Sequence, residues 1–83
     1  MKFTKIQKDI IKYISDYEKG SGKATPCIEV LQDHFKSEYS KLEVRDNVLE
    51  LVSRGVLHPY SFHAYLGLTE RFKTRYDHTI NNK

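Results

Sequence analysis

The chain has one cysteine, Cys27, so it cannot close a disulfide within itself, and a zinc site of the paired-cysteine kind cannot be built. A lone free cysteine behaves as a small apolar residue, and Cys27 is expected half-buried. Long apolar runs are also missing. None approaches the roughly 18 residues that a membrane span needs, and the N-terminus lacks the apolar core and small-residue cleavage site of a secretory leader. The expectation is a cytoplasmic protein with no membrane contact. Nor is there a strong excess of one charge. The 14 Lys and Arg face 11 Asp and Glu, a formal net charge of +3, which is a mild pull toward polyanions that does not decide the partner. Protonation of the 4 histidines would add to it, so electrostatic binding should strengthen as pH falls toward about 6.

Chemistry-bearing motifs are scarce too. The glycines of "GSGK" at 20–23 lack the spacing of a phosphate-binding loop. No serine, cysteine or carboxylate stands beside a histidine in an activating pattern, and the adjacent Asp33 and His34 point in different directions on a helix. A metal site on His58 and His63 would need two further ligands. An enzyme is not expected, and neither is a cofactor.

What is present is the composition of a folded domain: 83 residues, 39% hydrophobic, 30% charged and 12% aromatic. That length suits one domain over 1–83 that buries about three-fifths of its unfolded surface. From about Thr4 to Glu18, Ile6, Ile10, Tyr13, Ile14 and Tyr17 recur at helical spacing and predict the core side of a first helix. Lys5, Lys8, Lys12 and Lys19 fall opposite, with Asp9 and Asp16 at the margin, as a solvated face or a phosphate-contacting stripe. A second helix is expected with Thr25 as N-cap and Pro26 in its first position, burying Ile28, Leu31 and Phe35. Ser40 opens a third through a capping box with Glu43, and Gly55 ends it in a left-handed conformation. Leu42, Val44, Val48, Leu49 and Val52 are its expected apolar arc. Glu43, Asp46, Asn47, Glu50 and Arg54 are expected outside, with Arg45 at the edge of the arc and Arg54 four residues from Glu50, a favourable ion-pair spacing.

"VLHPY" and "AYLGL", separated by "SFH", predict an antiparallel hairpin in which Pro59 confines its strand to an edge. A last helix starts at Thr69, with Phe72, Tyr76 and Ile80 packed on the first helix and Arg71, Arg75 and His78 on one side. The fold class is therefore mainly α with a small β-hairpin.

The segments "FTKIQKDIIKYISDYEKGSGKATPCIEVLQDHF" and "VRDNVLELVSRGVL", and "LVSRGVL" followed by "LGLTERF", resemble winged helix-turn-helix domains. The N-terminal DNA-binding domain of the bacterial SOS repressor and small bacterial or phage regulators are the similar cases, over nearly the whole chain. The resemblance implies a three-helix core, a wing hairpin and a C-terminal helix, with the third helix in the major groove of double-stranded DNA and the wing along the backbone. By position it implies readers at Ser40, Lys41, Glu43, Arg45 and Asp46, with Asn47 and Glu50 as further candidates, and a role in transcription regulation. The expected nucleic-acid contacts are Lys5, Lys8, Lys12, Ser40, Lys41, Arg45, Asn47, Arg54 and His63.

Three carboxylates, Glu43, Asp46 and Glu50, oppose the phosphate field unless neighbours such as Lys41 or Arg54 neutralise them. A second expectation therefore stands beside the first: a protein-binding inhibitor or adaptor from a phage or mobile element, using those acids and the wing aromatics Tyr60, Phe62 and Tyr65. The same aromatics also suit ordinary packing or base stacking. A homodimer through the C-terminal helix, and RNA as ligand, stay open.

Overall fold

The computed structural model describes residues 2–20, 26–60 and 65–73. Its elements are α1 (Lys5–Gly20), α2 (Ile28–His34), α3 (Lys41–Ser53), β1 (Leu57–Tyr60) and β2 (Tyr65–Leu68), followed by a helical turn at 70–73. Three helices, an antiparallel hairpin and a final helical turn make a mainly α, winged-helix arrangement. Tyr76, Ile80, Arg75 and His78 of the expected last helix, and Phe62 and His63 of the wing, lie outside the described residues.

α1 begins with a capping box of its own. The Thr4 hydroxyl accepts from the Gln7 amide (3.4 Å), and the Gln7 side-chain oxygen accepts from the Thr4 amide (3.1 Å). The helix runs two residues past the expected end. It buries Gln7, Ile10, Ile11, Ile14 and Ser15, while Ile6 and Tyr13 only flank the core and Tyr17 is half-buried. The buried side is thus turned by part of a turn from the expected one. Ile11 makes the difference, because it is buried in the core together with Ile10 and Ile14.

α2 starts later than expected. Cys27 is its N-cap, in extended conformation and with no side-chain cap bond, and Pro26 precedes it instead of occupying the first helical position. Thr25 lies outside the described residues. The cause is at Pro26, whose carbonyl accepts from the Leu66 amide at 2.8 Å. That bond ties the segment to the sheet, so the chain turns helical only after Pro26. Leu31 and Phe35 are buried and Ile28 packs beside them, as the spacing predicts.

α3 carries the expected capping box: the Glu43 amide donates to the Ser40 hydroxyl (3.1 Å) and the Ser40 amide to the Glu43 carboxylate (3.0 Å). Its end is the expected glycine stop. Gly55 has φ +78°, the Val56 amide bonds the Leu51 carbonyl (2.9 Å), and the Gly55 amide bonds that of Val52 (3.1 Å). The two strands pair in the register Leu57 to Leu68, His58 to Gly67, Pro59 to Leu66 and Tyr60 to Tyr65. In a two-stranded sheet both strands are edges, which is why Pro59 is tolerated. Leu57, Leu66 and Leu68 face inward, where α1 meets β2 and α3 meets β1.

Thr69 is the expected N-cap of the last turn: its hydroxyl accepts from the Phe72 amide (3.2 Å) and donates to the Gly55 carbonyl (2.8 Å). One side chain thereby joins the end of the hairpin to the end of α3. Phe72 is buried edge-on against Phe3, with ring centroids 5.7 Å apart. No helix among the described residues is long and apolar enough to cross a membrane.

Candidate nucleic-acid interface

The core takes Val44, Val48 and Leu51 from α3. This corrects the expected apolar arc, in which Leu51 had no place. Leu42 and Leu49, expected inside, are 65% and 50% exposed, and Val52 lies at the margin. Apolar side chains point in most directions around this helix, so periodicity alone does not choose a face. Packing against α1, α2 and β1 chooses it. The choice places Leu42, Arg45, Asp46, Leu49 and Ser53 together on the outer face, all exposed. Arg45 stands along one edge of that face and Asp46 along the other.

The remaining expected readers go elsewhere, and Gln7 is the reason. Only 3% exposed, it donates to the side-chain oxygen of Asn47 (3.1 Å) and to the Glu50 carboxylate, and its oxygen accepts from Arg54 (3.4 Å). Asn47 also donates to the Glu43 carbonyl (2.8 Å) and is half-buried, not exposed. Arg54 donates to the Lys2 carbonyl (2.8 Å), and its guanidinium lies 4.6 Å from the centre of the Phe3 ring. It caps α3 and clasps the N-terminal segment; the expected pairing with Glu50 is replaced by Gln7, which bridges the two. Asn47 and Arg54 are therefore tied to the interior side of α3 and are not part of its outer face.

The basic stripe of α1 is partly neutralised. Lys5 pairs with Asp9 (2.9 Å), bonds the Tyr39 hydroxyl (3.2 Å) and approaches Glu38 (3.8 Å). The Tyr39 hydroxyl in turn donates to Asp9 (2.8 Å). The bond from Lys5, then that from Tyr39, holds the Asp9 carboxyl below its ordinary range; the bond to Asp9 pushes the Lys5 ammonium and the Tyr39 phenol up. Lys12 pairs with Asp16 at 2.7 Å. Lys8, Lys41 and Arg45 are exposed and make no ion pair among the described residues. Ser40 is committed to its cap, and the Lys41 carbonyl accepts from Gln32 (3.1 Å), which fixes the first turn of α3 against α2.

Among the acids, Glu43 is occupied by the cap and Glu50 by Gln7, so only Asp46 lies on the outer face without a partner among the described residues. Tyr60 and Tyr65 are paired across the hairpin by their backbones. Sequence reasoning missed Gln7 although "TKIQ" has the Thr-x-x-Gln spacing of a capping box. It also missed Leu42 and Leu49 as surface residues, for which no signal was available before the helix was docked. Comparison with protein families, curated proteins and solved structures returns no match.

Proposed function

We propose that the chain is a small winged-helix protein that binds double-stranded DNA through the outer face of α3, with the hairpin beside it, and acts in transcription regulation. The observation that carries this reading is the face of α3 left exposed by the described residues, with Arg45 along one side of it and Lys41 at the start of the helix. An α-helix fits the major groove, and an arginine presented there reads guanine with a bidentate pair. The helix N-terminus adds its own partial positive charge near the phosphates. Glu43 and Glu50 are oriented by neutral amide donors and form no ion pair among the described residues, so their charges still oppose the phosphates and Arg45 and Lys41 must outweigh them.

The test is fluorescence anisotropy on random-sequence duplexes between about 50 and about 200 mM salt, where DNA binding must weaken steeply. Arg45→Ala should then relax sequence preference by about 1–3 kcal/mol at one base pair. No binding at the lower salt would overturn the reading. A second reading, docking of a protein on the same face, is favoured by the exposure of Leu42 and Leu49. It predicts that Leu42→Lys with Leu49→Lys abolishes function while the fold persists.

A further inference from the structure

Leu42 and Leu49 are the exposed large apolar side chains among the described residues, and both lie on the face assigned to DNA. They are seven residues apart, which is two helical turns and about 10 Å along the axis. Stacked base pairs advance about 3.4 Å, so two side chains at this separation on a helix lying along the groove meet bases about three steps apart. The major groove offers leucine one kind of apolar partner, the 5-methyl group of thymine. Between the leucines stand Arg45 and Asp46, one on each side of the face. Arg45 suits the acceptors of guanine, and Asp46 suits the exocyclic amine of cytosine, so the charges at the centre match the two edges of a G·C pair.

Resting on the DNA-binding reading above, we infer that α3 recognises thymine methyl groups through Leu42 and Leu49, spaced about three base steps apart around a G·C pair read by Arg45 and Asp46. An acidic residue in the groove is then a reader of cytosine and no longer an obstacle. The leucines are exposed because their partner is the DNA.

The experiment selects tight-binding duplexes from a random pool and resynthesises the best with uracil in place of thymine, one position at a time. Uracil keeps every hydrogen-bonding group and lacks only the methyl. Affinity is expected to fall about fourfold at each of two positions, the factor that burying one methyl-sized group is worth. Leu42→Ala should erase the penalty at one position and Leu49→Ala at the other, without loss of folding, since both side chains are exposed. Tight binding with no uracil penalty overturns this inference and leaves the DNA reading standing. No duplex selected at all overturns both; a dimer in sedimentation that Leu49→Lys dissociates would then give the face to a second copy of the chain.

Discussion

Gln7 shows how one polar residue can fix the relation between two helices. Its side chain completes the cap of α1 and reaches Asn47, Glu50 and Arg54 around the last half of α3. Buried polar groups of this kind are costly to leave half-satisfied. Gln7→Met keeps the volume and removes every one of these bonds, so it should destabilise by about 1–3 kcal/mol in urea denaturation. A loss under about 0.5 kcal/mol, the level of an ordinary surface change, would mean that the network is replaced by water without consequence. Gly55 is the other single residue on which an element depends. A side chain there meets nothing within 4 Å, so the cost of Gly55→Ala lies in its φ of +78° alone. The expected loss is about 1 kcal/mol, and Gly55→Asn should lose less because asparagine tolerates that conformation. Equal losses for the two variants would contradict the backbone explanation.

At the scale of elements, the α2–α3 connector is held to α1 by the Lys5, Asp9 and Tyr39 triangle. The folded carboxyl of Asp9 sits below its ordinary value of 3.8, so this contribution is present above that value and disappears as pH falls through the folded one. The gap in urea midpoint between the protein and Asp9→Asn should therefore be constant near neutrality and close in acid below pH 3.8. A gap unchanged in acid would show that the variant acts through packing. The ends of the elements were the legible part of the sequence. Ser40 with Glu43, Gly55, Thr69 and the two strands occupy their expected places because caps and turns are local chemistry, decided within a few residues. The rotation of each helix was less legible. α1 turns toward Ile11, and α3 toward Leu51, because several apolar directions compete and only the neighbouring elements choose among them. The candidate site suffers most from such an error: a shift of part of a turn took Asn47 and Arg54 away from the face and brought two leucines into view, with Arg45 kept at its edge. Among the ends, α1 runs on to Gly20, and Pro26 is displaced from the first position of α2 by its long-range bond to Leu66.

For the whole molecule, the distribution of charge says more than the net +3. Lys5 and Lys12 face carboxylates and Arg54 is engaged with Phe3, Gln7 and Lys2, so much of the apparent positive charge serves the fold. A DNA complex would rely on cations such as Lys8, Lys41 and Arg45, which gives a modest footprint. Each phosphate contact contributes about 0.9 to the slope of log affinity against log salt, so with Arg45 on a base, phosphate contacts from Lys8 and Lys41 correspond to a slope of about −2 per chain. Lys8→Ala should lower its magnitude by about 0.9, weaken all sequences alike and leave stability within about 0.5 kcal/mol. Arg54→Met should behave in the opposite way, lowering stability while keeping the slope. Comparing the two variants by anisotropy across a salt series and by urea denaturation therefore separates a binding cation from a structural one. If Arg54→Met reduced the slope as Lys8→Ala does, Arg54 would have to leave Phe3 on binding, and the N-terminal segment it clasps would move with the complex.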